Sequence, residues 1–490
     1  MIALSLLIGI IPPSIVGWLT LDLIEGKTHV LWRGEKWALG FVLGLTLSMF
    51  CAFLANETLG MEFTLWGFLE VFAVLVIVLS GANIIRKKLS GSGTGSGSDF
   101  FPSPSPSPST SAMSRTMILS LALITCWVLL RTLTFGSLSF LTPSFFDDSM
   151  DNWNLRGRVF YEDRTLRLIF PWDQNAQGVS SYPPTVSLSK TWLATINGQW
   201  DDHLANTLHP VWFLSLLLLL YWTLRRQVPR LWAILGTVML ASLPLELIQG
   251  TNAYADVFLS VHLFAVAALL MRAVACTHRN EHLTWLRLSL FALALLPFTK
   301  NEGWALYFPI LLFLTAASGW WMWRKRMVET ASLIRTAAMG VTLIAIVAGS
   351  WIGFKLLHDL SFGNAKTIDL NFRWQPGVVL AITVNTFLEG NWSLLFPLFF
   401  GLLLYRWKTA FRTPLFIFTA FFLIPYVGQL FAYLFTGLSQ EALFQTGYAR
   451  GLIHLMPVIV TVTTVLLYDA IYRDKGTEGA EGTKGTKVLP

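Results

Sequence analysis

The sequence predicts an all-α, polytopic integral membrane protein: a bundle of about thirteen transmembrane helices whose second part opens with a large extracytoplasmic loop. Three observations carry this. Of 490 residues, 54% are hydrophobic and 13% charged, with mean hydropathy +0.58, which leaves too little polar material to cover a soluble globule of this size. Apolar stretches near the ~20 residues that cross ~30 Å of hydrocarbon as helix recur along the chain, from Leu4 to Tyr472. They are too long for the short alternating strands of an outer-membrane barrel and too many for a single-anchor enzyme. The 21 Trp and 36 Phe residues suit two membrane interfaces and a packed interior.

Three spans come first, at 2 to 24, 37 to 55 and 63 to 84, forming an N-terminal three-helix module over residues 1–84. The first has no basic n-region and runs on through Pro12 and Pro13, longer than a signal-peptide core, so it is read as retained. Residues 85–114 begin with Arg86, Lys87 and Lys88 and continue through GSGTGSGS and FPSPSPSPSTS, a linker composition that cannot build a core. A second membrane module covers 115–472. It has a span at 115 to 136, a polar loop over 137–208, and spans near 209 to 224, 230 to 248, 255 to 273, 284 to 298, 303 to 322, 332 to 356, 392 to 405, 412 to 434 and 450 to 472. Gly377, Glu389 and Gly390 interrupt an apolar run at 378 to 392, which reads as re-entrant or interfacial. In the long loop, Leu155, Val159, Leu166, Ile169 and Phe170 recur at near-helical spacing with Arg156, Arg158, Glu162, Asp163, Arg164 and Arg167 between them, the pattern of a helix lying on the membrane surface. Residues 473–490, with GTEGAEGTKGTK, have the composition of a disordered tail.

The formal net charge of +7 does not point to nucleic acid, because most Lys and Arg stand in short loops beside apolar spans, where they set orientation. The clusters Arg225/Arg226/Arg230, Arg272/Arg279/Arg287, Arg324/Lys325/Arg326/Arg335 and Arg406/Lys408/Arg412 alternate with loops poor in such clusters. This alternation puts the N-terminus outside, the linker and C-terminal tail in the cytoplasm, and the 137–208 loop on the far side of the membrane. Cys51, Cys126 and Cys276 show neither metal-ligand spacing nor a disulfide framework.

Chemistry gathers at the outer corners. The loop opens with FFDDSMDNWN, where Asp147, Asp148 and Asp151 repel one another, a setting for a general base or, on the plainer reading, a solvated acidic cap. Asp201 and Asp202 form a second acidic pair, better read as a cap. Asp256, in NAYADVFLSVH, opens an apolar span, where an ionised carboxylate needs water, a cation or substrate unless it caps the helix. Lys300 and Glu302 share the next corner, TKNEG, and could simply pair on the surface. Arg450 and His454, four residues apart, lie on one helical face and offer donors to phosphate oxygens, with snorkelling of Arg450 as the alternative. Tyr182 stands in a stiff SYPPT turn that serves as a wall or as loop punctuation. The topology brings all of them to one face of the membrane, as transfer from a lipid-linked phosphate donor requires.

From about residue 115 the sequence resembles the GT-C glycosyltransferases that use polyprenyl-phosphate-linked sugars, especially the protein O-mannosyltransferase and aminoarabinose-transferase-like branch. The carriers are FFDDSMDNW, SYPPT, AYADV, TKNEG and YARGLIHLMP, in that order. The resemblance implies a GT-C-like bundle and an inverting transfer of a hexose or pentose to an acceptor hydroxyl on the extracytoplasmic face. Asp148, or Asp147 beside it, would be the base, Asp256 would orient acceptor or donor, and Lys300 and Arg450, with His454, would hold the phosphate. Asp151, Tyr182 and Glu302 complete the expected substrate-binding set. The expected partners are the polyprenyl-phosphate-sugar donor, a lipid, glycan or protein acceptor, and the bilayer of a bacterial inner membrane. Metal dependence stays open: the acid cluster has oxygen ligands able to hold a divalent cation, nothing in the sequence fixes a ligand count, and relatives in the resembling branch can work without one. Residues 1–114 lie outside the resemblance. The competing class is a transporter or flippase for a lipid-linked or anionic substrate, which would place its ionisable groups near the membrane midplane.

Overall fold

The computed structural model describes residues 2–89, 115–141, 144, 148–167, 181–362, 373–412 and 414–481, and among these it is helical throughout, without a strand. The helices are α1 (Ile2–Glu25), α2 (Arg33–Leu59), α3 (Leu65–Leu89), α4 (Arg115–Leu141), α5 (Leu155–Asp163), α6 (Thr185–Asn197), α7 (Asp202–Asn206), α8 (Leu208–Arg225), α9 (Arg230–Ser242), α10 (Pro244–Thr251) and α11 (Asp256–Ala275). The chain continues with α12 (Arg279–Leu295), α13 (Phe308–Arg324), α14 (Thr330–Leu357), α15 (Val378–Thr383), α16 (Leu395–Tyr405), α17 (Trp407–Arg412), α18 (Phe416–Phe435), α19 (Ser439–Leu443), α20 (Gly447–Ile453) and α21 (Met456–Glu481).

Each stretch expected to span coincides with a helix. Among the described residues eight helices are long and apolar enough to cross a membrane, and ten if the bent pairs α9–α10 (75°) and α20–α21 (56°) each count as one, against about thirteen spans expected; Ala122–Leu138 and Leu395–Tyr405 are apolar but shorter. The first bend falls at Pro244, whose ring and missing N–H cannot continue α9. Leu7, Ile77, Leu133 and Leu388 are among many large apolar side chains left exposed, the outward face of a multi-pass membrane protein.

The core is built around α11, buried along nearly its whole length and packed by α2, α8, α12, α13, α18, α20 and α21. The N-terminal helices belong to this core. α1 and α2 cross at backbone contact, because a Cβ on Gly17 would stand 1.9 Å from the Gly40 carbonyl oxygen and one on Gly44 2.1 Å from that of Pro13. α2 then seats Phe50 and Phe53 on the Phe298 ring, each at 5.2 Å, and brings Thr46 Oγ1 to 2.8 Å from His262 Nε2 in α11. Trp192 of α6 donates its indole N–H to Gly9 O of α1 at 3.0 Å.

The bundle has two chemically different ends. At one, Arg226 reaches the α1–α2 connection through Val30 O (2.8 Å) and Glu35 (2.5 Å), Arg86 bonds Leu23 O (3.0 Å), and Arg272 bonds Thr223 O (2.9 Å). At the other, the α2–α3 connection meets the long loop through Phe63 N–H on Arg164 O (2.8 Å).

The loop carries a helix, α5, but it ends at Asp163, where Arg164 turns left-handed, short of the expected Leu166, and its buried face differs from the expected one. Arg156, Gly157 and Phe160 face inward, while Leu155 and Val159 are half-buried. Gly157 decides this: with no side chain it lets α6 come close, and a Cβ there would lie 2.9 Å from the Trp200 ring and 3.1 Å from Ser187 O. The expected continuation through Ile169 and Phe170 lies outside the described residues.

Candidate functional site

At the end of the bundle bearing the long loop, Asp256 is the first residue of α11, and its side chain is 1% exposed. A carboxylate so enclosed is tolerated only when its oxygens are matched by cations and donors. Oδ1 accepts from Lys300 Nζ at 2.6 Å and sits 3.1 Å from His454 Nε2. Oδ2 accepts from Nε and Nη2 of Arg450, both at 3.1 Å. The same Nη2 donates to Asp148 Oδ2 at 2.5 Å, and the guanidinium lies 4.6 Å from the centre of the Tyr254 ring. Residues from four separate parts of the chain, Asp148, Asp256, Lys300 and the Arg450–His454 turn, thus meet in one cluster.

Lys300 is also 3.3 Å from Glu302 Oε1. Burial by itself would push the Lys300 ammonium down, but the Asp256 and Glu302 carboxylates outweigh it and hold the group above its ordinary value, so it remains a cation. The TKNEG corner is therefore a buried junction and not a surface ion pair. It is also where the SYPPT turn docks: Asn301 Nδ2 donates to Ser181 Oγ at 3.1 Å, and the Thr185 hydroxyl donates to Phe298 O.

Behind Asp256 lies a second layer. His454 is almost wholly enclosed, with Nε2 toward Asp256 and Nδ1 3.2 Å from the Tyr307 hydroxyl. Gln429 Nε2 of α18 donates to that hydroxyl at 3.0 Å, and Gly451 O lies 3.3 Å from it. His454 therefore touches Asp256 from the inner side, while Arg450, 29% exposed, and Asp148, 36% exposed, face outward.

Of the remaining expected residues, Asp147 lies outside the described residues. Asp151 is exposed on the π-helical turn Ser149–Asn154, without an ion pair to the cluster among the described residues. The Tyr182 ring packs against Trp153 at 5.3 Å, tilted by 60°, and its carbonyl accepts from Nη2 of the fully buried Arg156 at 2.9 Å, so it forms part of the wall beneath the turn. Asp201 caps α7 by accepting the amides of His203 (2.8 Å) and Leu204 (3.3 Å), as the plain reading had it.

Four participants escaped the sequence reading as site residues: Tyr254, Tyr307, Gln429 and Lys190. The first three carry no charge and announce nothing singly. Lys190 did leave a signal, a lone cation in the apolar run VSLSKTWLATI. It is completely buried in α6, its Nζ bonded to Asn154 Oδ1 and 3.4 Å from Asn206 Oδ1, and Asn154 in turn donates to Asp202 at 2.9 Å. This ties the turn following Asp148 to α6 and α7. Burial lowers the Lys190 ammonium to about 7, only partly opposed by Asp202.

Among the described residues, one group has three carboxylate or imidazole ligands close enough for a metal: Asp22, Glu25 and His29, at the opposite end. There the Lys36 ammonium bonds both carboxylates and occupies the position a cation would take.

No family model matches the chain, and no curated protein does. Among solved structures, ArnT from Cupriavidus metallidurans bound to undecaprenyl phosphate is similar, with TM-score 0.51 and 14% identity over 72% of this chain and 62% of that one. The apo state of the same protein gives 0.49 at the same identity and coverage. This chain thus spans less than two thirds of the length of those structures. At such identity the likeness is one of architecture alone: over 72% of its length the chain shares the all-helical fold of that structure.

Proposed function

We propose that the protein is a membrane glycosyltransferase that moves a hexose or pentose from a polyprenyl-phosphate donor to an acceptor hydroxyl, with inversion, on the extracytoplasmic face of a bacterial inner membrane. The acceptor is a lipid, a glycan or a protein. The observation that carries the reading is the convergence of Asp148, Asp256, Lys300 and Arg450 at one partly open cluster. It is supported by a shared fold with a protein whose structure holds undecaprenyl phosphate.

In this reading Asp148, the more exposed acid, takes the proton of the acceptor hydroxyl as its oxygen attacks the anomeric carbon from the side opposite the phosphate. Asp147 is the neighbouring alternative. Arg450 and Lys300 stabilise the phosphate whose charge grows as the glycosidic bond breaks, as fixed donors in a water-poor site do best. Asp256 is too enclosed to be the base and instead aims both cations, while His454 holds Asp256 from behind. Tyr182 lines the wall and Glu302 balances Lys300. Asp151, exposed beside the base, is left to contact the acceptor. The carboxylates of the DDSMD segment would offer oxygen ligands to a divalent cation, and no step above uses one.

The test is transfer by membranes containing the protein, supplied with labelled polyprenyl-phosphate sugars. Wild type should transfer, and Asp148→Asn should lose at least about a hundredfold in rate. Undiminished transfer by both Asp148→Asn and Asp147→Asn would remove the proposed base.

A further inference from the structure

At the end of the bundle away from Asp256, helices α11, α13, α17 and α18 enclose a cavity of about 420 Å³ whose walls include Leu314, Ala317, Trp321, Phe411, Phe416 and Ile417. Its rim is open to the surroundings, since Trp320, Trp321, Phe411 and Phe416 are all exposed. Water gains little from so apolar a space, whereas a hydrocarbon chain supplies the dispersion contacts that its walls otherwise lack. The mouth carries cations. Arg412 is part of the wall, with its guanidinium 5.3 Å from the centre of the Trp407 ring. Arg324, the last residue of α13, lies 5.4 Å from the centre of the Trp320 ring, which also lines the cavity. Lys408 Nζ is 6.0 Å from the Trp407 ring. Among the described residues neither guanidinium has a hydrogen bond or an ion pair, and no carboxylate lines the cavity. Snorkelling is the plain reading of a single arginine at a helix end. Two that rest on aromatic faces beside one apolar cavity are instead forked donors held at the mouth of a slot for a chain.

We infer that this cavity is a binding site for an anionic phospholipid, with an acyl chain between α13 and α18 and the lipid phosphate on Arg412 and Arg324. The site is separate from the Asp256 cluster. Val274, which also lines the cavity, stands near the end of the helix that Asp256 begins, so at ~1.5 Å per residue the two lie roughly 25 Å apart. A carrier lipid with its phosphate on Arg412 would therefore hold its sugar far from Asp148 and Asp256, which favours a resident phospholipid of the adjoining leaflet over the transfer donor. The two helices flanking the cavity are joined at their other ends, where Gln429 of α18 donates to the Tyr307 hydroxyl just before α13 at 3.0 Å. A chain lodged between them packs the ends that this bond does not hold. Because the lipid binds only the folded bundle, its binding raises the thermal midpoint.

The experiment measures how strongly the full chain, released from mixed nanodiscs, retains phosphatidylglycerol over phosphatidylcholine of the same chain length, with the thermal midpoint followed in each lipid. Wild type should retain phosphatidylglycerol preferentially and melt higher in it. Arg412→Gln and Arg324→Gln should each lower that preference about fivefold, the worth of one basic residue beside a lipid phosphate. Ala317→Phe leaves the charges alone but fills the cavity, and should reduce retention of phosphatidylglycerol and its effect on the midpoint. Arg230→Gln makes the same charge change at the same end of the bundle, away from the cavity, and should leave the preference unaltered. An equal loss in Arg230→Gln overturns the site, because the preference is then a general attraction to the basic end. Unchanged retention in Ala317→Phe overturns it as well, since no chain then enters the cavity. If undecaprenyl phosphate displaces phosphatidylglycerol from wild type at lower concentration, and Ala317→Phe abolishes this, the occupant is the carrier and the phospholipid assignment falls. Should Ala317→Phe not fold, Ala317→Met fills less of the space and should give the same loss in smaller measure.

Discussion

Two buried charge clusters stand at opposite ends of the bundle, and their difference separates structural chemistry from reactive chemistry. At the basic end, Lys36 is bonded to Asp22 and, at 2.5 Å, to Glu25, whose other oxygen accepts the amides of Val30 and Leu31 at 2.8 Å each. Lys36 is 6% exposed and Glu25 1%. Every strong donor there is spent on pinning the α1–α2 connection. At the other end the same ingredients form a shell with a closed inner side, Asp256 and His454, and an open outer side, Arg450 and Asp148. What distinguishes the two is thus not the presence of ionisable groups but whether the cation is enclosed, as Lys36 is at 6% exposure, or partly open, as Arg450 is at 29%.

This contrast can be broken most directly by removing the cation from each. Arg450→Met should reduce transfer by about a thousandfold, the loss expected for a fixed donor at a developing anion, and a normal rate from this variant would end the comparison. Lys36→Met should instead cost about 3–5 kcal/mol of stability by leaving Glu25 buried and unpaired. Transfer per folded molecule should be retained, with thermal unfolding and rate measured on one preparation. A smaller effect is expected where α5 meets α6. Gly157→Ala should destabilise by about 1–3 kcal/mol through overpacking against Trp200 and the Ser187 carbonyl, and an unaltered melting temperature would count against the close approach.

Tyr307→Phe keeps the ring and removes only the hydroxyl between Gln429 and His454. It should lower kcat by about tenfold or less, since one hydrogen bond in a buried network is worth about 1 kcal/mol, with KM for the donor nearly unchanged. A change confined to KM would instead place Tyr307 against the substrate. The smallest effect concerns Lys190. Its folded value of about 7 lies below the ordinary 10.5 of the unfolded chain. Between those values the unfolded state binds more protons, so stability rises with pH across the window, and the cost of the buried ammonium is fully present only below about 7. Thermal midpoints followed from the lower to the upper end of that window should climb more steeply for wild type than for Lys190→Met. Identical slopes would mean that Lys190 does not titrate there.

Much of this protein could be read without coordinates, for reasons that are local. An apolar stretch of span length must be helical in hydrocarbon because no water is present to satisfy its backbone, so the order of helices followed from composition alone. Asp256, Lys300 and Arg450 stood out because a charge next to such a stretch needs a partner, and Asp256 proved to be the partner of both cations. Tyr307 and Gln429 could not stand out in this way, being neutral and ordinary in their own surroundings. The expected face of α5 was misread because periodicity marks which side chains are apolar. It does not register that Gly157 lets another helix approach the backbone, which drew Arg156 inward as well.

Membrane class, the sequence of spans and the short roll of charged residues that could share a site were therefore set by the chain itself, since each depends on the cost of a residue or segment in its immediate medium. Which of those residues touch, which of them is enclosed and which stays open were decided only by the packing. Asp148 and Arg450 are separated by 302 residues, and nothing in either neighbourhood encodes a 2.5 Å contact. That contact exists because α11 carries Asp256 to the same end of the bundle, and a buried carboxylate gathers whatever cations the surrounding helices bring within reach.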